Sequence, residues 1–257
     1  MTGFSLQGKR GLITGIANEH SIAYGCAKAM QAAGAELAVT YLNDKAHPHV
    51  EPLATELDAC LFLPLDLRKE GELESTFNTI RDQWGELDFL LHAVAFAKGE
   101  DLNGRVTDCS QDGFALAMDI SCHSFIRMAK LAEPLMKHGG SLMTLTYHGS
   151  ERVIPGYGIM GPVKAALESA TRYMATELGP QRIRVNAISA GLLPTRAASG
   201  IAAFDIMYER AKHEAPLPAE TLTIDDVGNM AAFLASDAAK AITGAIHYVD
   251  AGYHITD

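Results

Sequence analysis

The chain has 257 residues, 48% hydrophobic and 20% charged, a composition typical of a soluble globular protein that can build its own core. Its formal net charge of −10 argues against nucleic acid and against an anionic membrane surface as partners, because both attract basic proteins. No stretch resembles a signal peptide or a membrane-spanning helix, so we expect a cytoplasmic protein.

Short β-rich segments alternate with helical patterns along the chain. The predicted strands are nearly continuous apolar runs, as expected for strands buried on both faces: 10–14, 37–41, 61–65, 89–92, 141–146, 183–188 and 246–249. Helical periodicity occurs in 21–33, 73–84, 114–136, 163–178 and 224–236. This alternation predicts an α/β fold, a single doubly wound Rossmann domain over residues 1–257 with a seven-stranded parallel sheet.

One segment interrupts the alternation. Residues 192–220 are too many for an ordinary connection and include a helix-like stretch near 204–212. Insertions of this length are commonly lids or binding loops, and this one follows a strand, at the sheet edge where such folds bind ligands. We therefore expect a substrate-binding loop and helix insertion, although its apolar residues also fit an ordinary core.

The first strand ends at Gly15, and the next helix begins near Ser21. A glycine allows the backbone to approach a pyrophosphate, and the start of a helix directs free N–H groups at an anion. Ser21 is suited to cap that helix and to offer its hydroxyl to a phosphate. The pattern is not G-x-G-x-x-G, so a plain capped turn is the competing interpretation.

The second and third strands bear on the choice between NAD and NADP. The second strand ends at Leu42, with neither a carboxylate for ribose hydroxyls nor an arginine for a 2′-phosphate; Asp44 and Lys45 are the nearest charges. This favours NAD and leaves NADP possible. Asp66, after the third strand, is suited to accept a hydrogen bond from adenine or to cap the next helix.

A tyrosine and a lysine follow the fifth strand. Lys164 lies seven positions after Tyr157, and if a helix begins near Tyr157 the two side chains share one face. Tyrosine is suited to donate a hydrogen bond to a developing oxyanion, and a nearby lysine supplies positive potential. An unrelated half-buried tyrosine and a solvated lysine are the alternative, but the position in a dinucleotide fold favours the reductase interpretation.

Several stretches together carry a family resemblance: residues 15–18, 21–25, 92–97, 184–191, 197–201 and 249–253, with Tyr147, Tyr157 and Lys164. With them the chain resembles the short-chain dehydrogenase/reductase superfamily and, within it, the bacterial enoyl-acyl-carrier-protein reductases. The superfamily at large has Tyr-x-x-x-Lys, whereas here Met160 stands four positions before Lys164. The Tyr-x6-Lys spacing is that of the enoyl reductases.

The resemblance implies that NADH reduces the trans-2 double bond of enoyl thioesters in type II fatty-acid synthesis. It implies that Tyr157 holds the thioester oxygen, that Lys164 binds the cofactor ribose, and that Tyr147 lines the site. The cofactor contacts that it implies are Gly15, Ser21, Ile22, Leu42, Asp66, Leu67, Val94, Lys164, Leu193, Pro194, Thr195, Arg196 and Ala197. The implied substrate contacts are Ala97, Tyr147, Tyr157, Met160, Ile201, Phe204 and Met207.

The resemblance also implies an enoyl-acyl-carrier protein as substrate and a homotetramer. Two departures affect the cofactor site: Leu42 replaces a common glutamine, and Pro194 stands where a basic residue is frequent, with Arg196 two positions on. Two other functions remain open. One is a short-chain carbonyl or imine reductase, and the other is an inactive paralogue that serves as a binding protein.

No metal site is predicted. The ten histidines form no set with ligand spacing, and His47 and His49 flank a proline in a predicted polar loop. His92, at the end of the fourth strand, is expected to fix local backbone rather than to transfer protons. The four cysteines lack C-x-x-C spacing and are expected to be ordinary residues of a reducing compartment.

Overall fold

The computed structural model describes residues 4–218 and 222–256. Within them, seven parallel strands form one sheet in the order β3-β2-β1-β4-β5-β6-β7. The strands are β1 (Arg10–Thr14), β2 (Glu36–Tyr41), β3 (Leu61–Pro64), β4 (Phe89–His92), β5 (Gly140–Thr146), β6 (Ile183–Ala190) and β7 (Ile246–Val249). The predicted fold class is confirmed.

Helices cover both faces of the sheet. The α-helices of the described ranges are α1 (Ile22–Ala32), α2 (His47–Glu56), α3 (Glu72–Trp84), α4 (Gly99–Asn103), α5 (Gln111–Met118), α6 (Ser124–Ala132), α7 (Met160–Leu178), α8 (Phe204–Glu214) and α9 (Ile224–Ala235). One buried cluster joins the sheet to α3, α6 and α7, and a second joins it to α1, α2 and α9. No helix in the described ranges is both long and apolar enough to span a bilayer.

Each strand contributes to both cores because successive side chains point to opposite faces. On β1, Leu12 lies in the first cluster and Ile13 in the second. The strand order reverses between β1 and β4, which are direct neighbours. In open parallel sheets, ligands bind beyond the carboxyl ends of the strands at this reversal. The residues that follow Thr14 and His92 therefore face the expected site.

Two helical predictions require correction. Residues 114–136 are not one α-helix: α5 and α6 are joined by a π-helical turn, Asp119–His123, and a 3-10 turn follows α6. Residues 47–49 are not a loop, because α2 begins at His47 with Pro48 in its first turn, where a missing N–H costs nothing. The ring of His47 packs against Tyr41 and Phe62, at centroid distances of 4.7 and 5.1 Å.

The connection after β7 contains a strained alanine. Ala251 has a φ of 59°, a left-handed conformation in which a side chain costs roughly 1–2 kcal/mol. We expect Ala251→Gly to raise the free energy of unfolding by about 0.5–1 kcal/mol, after the greater entropy of glycine in the unfolded chain is subtracted. Urea unfolding measures this. Ala170→Gly, within α7, is the control and should lower stability; a loss of stability in both variants would contradict the prediction.

Candidate active site

The β1–α1 turn depends on Gly15. Its φ is +94°, and a Cβ built there would lie 2.1 Å from the carbonyl oxygen of Ala93. A side chain at this position would push the first turn away from the residues that follow β4. Glycine thus brings the ends of the two neighbouring strands together at the point where the strand order reverses.

Ser21 is the N-cap residue of α1, but its side chain does not cap the helix. The hydroxyl oxygen instead accepts from the N–H groups of Ala17 and Asn18, at 3.0 and 3.1 Å. The predicted side-chain cap is therefore wrong, because the hydroxyl turns back to hold the glycine turn. Among the described residues, no hydrogen bond engages the first N–H groups of α1, those of Ile22 and Ala23. This positive helix end fits the pyrophosphate of a dinucleotide.

At the end of β3, the Asp66 carboxylate is almost entirely buried and accepts three hydrogen bonds from Arg68. One comes from the backbone N–H at 3.1 Å and two from the guanidinium, at 2.8 and 2.7 Å. Arg68 therefore lowers the pKa of Asp66. The helix-capping alternative for Asp66 is wrong, because the N-cap of α3 is Gly71. Leu42, at the end of β2, is 46% exposed.

His92 is fully buried at the end of β4. Its Nδ1 lies 2.8 Å from the hydroxyl of Thr144, and its Nε2 lies 2.8 Å from that of Ser124. Burial, helped by the charge of Lys164, lowers the pKa of His92 to about 3. A neutral imidazole held from both sides fixes the end of the strand and is a poor proton donor at neutral pH, in agreement with the expected role.

Tyr157 does not lie on a helix. It precedes α7 by three residues, in a turn between Gly156 and Gly158, whose φ values are +84° and +50°. A Cβ on Gly156 would meet Ala203, and one on Gly158 would meet the backbone of Leu102. The predicted common helical face with the lysine is therefore wrong. The positive φ values of the glycines interrupt the helix, and the turn packs closely against neighbouring segments.

The ring of Tyr157 is buried and packs edge-on against that of Tyr147, with centroids 4.9 Å apart and planes at 71°. Burial raises the pKa of the Tyr157 phenol far above its ordinary value, and Tyr147 and Glu168 add to the rise. The phenol is thus protonated throughout the neutral range. It is a hydrogen-bond donor that brings no charge into the site before reaction.

Lys164 projects from the first turns of α7 into the same interior. Its Nζ donates to the carbonyl oxygen of Leu145 at 2.8 Å. Burial lowers the pKa of this ammonium to about 8, against the opposing effect of Glu168 one turn further along the helix. The Glu168 carboxylate is itself buried and accepts from the hydroxyl of Thr146 at 2.6 Å. Lys164 is thus a cation held at the carboxyl end of β5 with N–H groups to spare, which fits the hydroxyls of a ribose.

Most of the predicted substrate contacts meet in one apolar cluster. Tyr147, Tyr157, Met160 and Met207 are buried in it, and Ala97 and Ile201 pack against it along with the predicted cofactor contact Val94. Phe204 is buried but lies outside this cluster and stacks on Tyr208, with centroids 5.6 Å apart. Residues that lie far apart along the chain therefore belong to the same buried cluster as Tyr157, on one face of the sheet.

Tyr157 also borders open space. A cavity of about 360 Å³ is lined by Val106, Tyr157, the turn at 149–154 and the first residues of α7. None of the predicted substrate contacts apart from Tyr157 lines it. Tyr157 therefore belongs to the apolar cluster and also lines a cavity that the other predicted substrate contacts do not reach.

The loop after β6 contributes one buried and several exposed residues. Leu193 is buried, while Pro194, Arg196 and Ala197 are exposed. The hydroxyl of Thr195 accepts from the N–H of Ala198 at 3.1 Å and closes the loop into a turn. The guanidinium of Arg196 forms no ion pair within the described ranges, so its charge is available to a ligand.

The comparisons with known proteins decide among the possible families. The sequence model of the family described as "Enoyl-(Acyl carrier protein) reductase" matches residues 15–254. The chain belongs to this family. A curated relative from Nostoc sp., named an NADH-dependent enoyl-acyl-carrier-protein reductase, is 49% identical over 254 residues, which are 98% of each chain. The predicted family is confirmed.

Solved enoyl-acyl-carrier-protein reductases share the fold throughout. The structure from Anaplasma phagocytophilum, in complex with NAD, has a TM-score of 0.94 and 46% identity, covering 99% of this chain and 97% of that one. The structure from Bacillus cereus, with NADP+ and indole naphthyridinone, has a TM-score of 0.95 and 42% identity, covering 98% of both chains. Relatives this similar thus include complexes with either cofactor.

Two side chains that organise the candidate site were not predicted from the sequence. The Asn103 amide donates to the carbonyl oxygen of Gly200 at 3.1 Å and accepts from the N–H of Ala202 at 2.8 Å, so it ties α4 to the start of the insertion. The Ser121 hydroxyl bonds both backbone groups of Phe96 and holds the loop after β4. The Asn103–Gly104 pair signals a turn, but nothing local indicates which loop the amide joins.

No group of three or more potential metal ligands occurs among residues 4–218 and 222–256. All four cysteines are free, with Cys26 and Cys122 buried, Cys109 partly buried and Cys60 exposed.

Proposed function

We propose that this chain uses NADH to reduce the trans-2 double bond of enoyl-acyl-carrier-protein thioesters in type II fatty-acid synthesis. Membership of the enoyl-acyl-carrier-protein reductase family supports the activity, and NADH is the cofactor named for its curated relatives. The observation that carries the chemistry is the buried, protonated Tyr157 beside Tyr147, with the buried ammonium of Lys164 in the same interior.

When bound, NADH supplies the hydride that the β-carbon of the substrate accepts. The electron pair of the double bond then moves toward the thioester oxygen, which gains enolate character. The phenol of Tyr157 donates a hydrogen bond to this oxygen, and its raised pKa keeps the proton in place. Tyr147 holds the Tyr157 ring and lines the site near the thioester.

Lys164 acts on the cofactor rather than on the substrate. Leu145 fixes the ammonium through its carbonyl oxygen, and Glu168 counteracts the effect of burial on its charge. The remaining N–H groups bind the hydroxyls of the nicotinamide ribose. Held there, the ammonium would position the nicotinamide ribose of a bound cofactor at the carboxyl end of β5.

The other cofactor contacts follow the sheet edge. The N–H groups at the start of α1 and the loop at 193–197 bind the pyrophosphate, with Gly15 and Ser21 shaping the first turn. Asp66 receives the adenine amino group, since a carboxylate that accepts from Arg68 retains further lone pairs. The remaining contacts are Leu42, Leu67 and Val94.

We assign the acyl chain to the apolar cluster that contains Tyr157, with Ala97, Met160, Ile201 and Met207, and to Phe204, which is buried outside that cluster at the start of α8. Residues 192–220 form the lid of a single domain that spans 1–257; the last part of this lid, 219–220, lies outside the described residues. The hydrogen bonds from the Asn103 amide to Gly200 and Ala202 support this role, because they join the insertion to α4, which lies next to the turn that holds Tyr157.

We further propose a homotetramer in the cytoplasm, and light scattering that gave a monomer mass would reject the tetramer. The acyl-carrier protein is the partner that presents the substrate. Neither nucleic acid nor a membrane has a place in this function, in keeping with the net charge of −10.

One assay tests the activity. Purified protein, NADH and crotonyl thioester are mixed, and the loss of NADH absorbance is followed. We expect turnover with the enoyl thioester and none with simple ketones. Turnover with a ketone alone would indicate a carbonyl reductase, and folded protein inactive on both substrates would indicate a binding protein.

A further inference from the structure

The adenosine end of the cofactor site raises a question of selectivity. Dinucleotide folds commonly read the adenosine ribose with a carboxylate at the tip of β2, which also repels a 2′-phosphate. Here the tip is the exposed, uncharged Leu42. A preference for NADH over NADPH therefore requires another source of negative charge, and the loops after β2 and β3 contain one.

Arg68 is one of the three cations of these loops, with Lys45 and Lys69. The Arg68 guanidinium is engaged twice by the Asp66 carboxylate, at 2.8 and 2.7 Å. The Asp66 side chain is only 8% exposed, so this pair is shielded from water on the side of the carboxylate. The charge of Arg68 is thus balanced within the protein.

The positive charge of Lys69 is likewise balanced by a carboxylate of the protein, that of Glu72. Its Nζ lies 3.0 Å from one carboxylate oxygen of Glu72, whose other oxygen accepts from the backbone N–H of Asp66. The second bond fixes Glu72 to the turn after β3, so the carboxylate is held in place for the lysine. Glu72 raises the pKa of Lys69. Tyr41 at the end of β2 pairs with Pro64 at the end of β3, and the N–H of Leu65 donates to the carbonyl oxygen of Tyr41 at 2.8 Å, so the loops after these two strands begin side by side.

We propose that Glu72 is a specificity-determining residue that makes this reductase favour NADH over NADPH by neutralising Lys69; this inference rests on the proposed function. Residues 42–45 and 66–72 hold four carboxylates and three cations: Asp44, Asp66, Glu70 and Glu72 against Lys45, Arg68 and Lys69. A 2′-phosphate, a dianion near neutral pH, meets a region of net negative charge. A 2′-hydroxyl carries no charge and is therefore not repelled by this region.

Glu72→Gln tests the proposal. Glutamine retains an oxygen that accepts from the N–H of Asp66 but releases Lys69. The full-length protein is titrated by calorimetry with adenosine 2′,5′-bisphosphate and with AMP, which differ by the 2′-phosphate. We expect Glu72→Gln to bind the bisphosphate about fivefold more tightly, with AMP affinity within about twofold of wild type, on the scale of one partly screened charge. NADPH and NADH dissociation constants, from cofactor fluorescence, should shift in the same ratio.

Glu74→Gln is the matched control. It removes the same charge from the same helix at an exposed position, and we expect the ratio of the two affinities to change by less than about twofold. An equal gain in both variants would show a general charge effect and overturn the role of Glu72, as would an unchanged ratio in Glu72→Gln. Failure of wild-type protein to bind AMP would overturn the placement of adenosine here.

Lys69→Ala gives a second measure that does not depend on the folding of Glu72→Gln. In the wild-type background it should weaken bisphosphate binding by a similar factor, because it leaves the carboxylate of Glu72 without its cation, and in the Glu72→Gln background it should abolish the gain. A bisphosphate affinity that is unchanged in the wild-type background, or a gain that persists in the double variant, would contradict the proposal. Crotonyl thioester turnover on the same preparations separates the two conclusions: inactive protein with the expected binding ratios would reject the enoyl reductase function alone.

Discussion

Tyr157→Phe lowers kcat for crotonyl thioester by about 10²–10³-fold, the loss typical when one donor to a developing oxyanion is removed. Phenylalanine keeps the ring that packs against Tyr147, so the apolar cluster remains intact. The dissociation constant of NADH should stay within about twofold of wild type, since the phenol acts on the substrate oxygen. Steady-state kinetics and cofactor fluorescence measure the two quantities.

Tyr173→Phe is the control for this experiment. Tyr173 lies on α7 and is 71% exposed, so its replacement should leave kcat unchanged. If Tyr157→Phe retained a third or more of wild-type kcat, the phenol would not be the group that stabilises the oxyanion. Equal loss in both variants would indicate damage to the fold.

Lys164→Ala should raise the dissociation constant of NADH by about 10–100-fold, which corresponds to the loss of charged hydrogen bonds to the ribose. Lys130→Ala removes an exposed lysine from α6 and should leave NADH binding unchanged. Cofactor fluorescence measures both variants. An unaltered dissociation constant in Lys164→Ala would show that this lysine does not bind the cofactor.

The pH dependence of NADH binding tests whether the positive charge of Lys164 strengthens it. Burial lowers the pKa of Lys164 to about 8, so the ammonium is largely present at pH 7 and is lost as the pH rises through 8. NADH affinity of wild type should therefore fall above pH 8, while that of Lys164→Ala should not follow this titration. The lowered pKa also means that burial of the charge opposes folding at neutral pH, and that this cost disappears between pH 8 and 10.5.

The sheet was predictable because its strands are buried on both faces and differ clearly from the amphipathic helices between them. All seven predicted strands occur within one or two residues of their observed ends. The residues of the site were predictable for a related reason: most follow a strand, and the carboxyl ends of parallel strands meet at one edge. Tyr147 after β5, Val94 after β4 and Asp66 after β3 lie there because of the topology.

Local geometry was less predictable, because tertiary contacts decide it. The seven-residue spacing suggested a helical face for Tyr157 and Lys164, but two glycines with positive φ place the tyrosine before α7. The hydroxyl of Ser21 satisfies N–H groups of the turn instead of the helix. The sequence around Pro48 suggested a polar loop, whereas Pro48 lies in the first turn of α2 and the helix continues through Pro52.

The π-helical turn Asp119–His123 joins α5 to α6 and determines which way the side chains of α6 point. One extra residue in a turn rotates the downstream faces by about 100° relative to a continuous α-helix. Ser121 therefore reaches the loop after β4 while Ser124 reaches His92. A single-residue deletion between 119 and 123 would leave every catalytic side chain present and swing Ser124 away from the histidine. Such a deletion would therefore change the support of the strand ends at the candidate site rather than a peripheral helix.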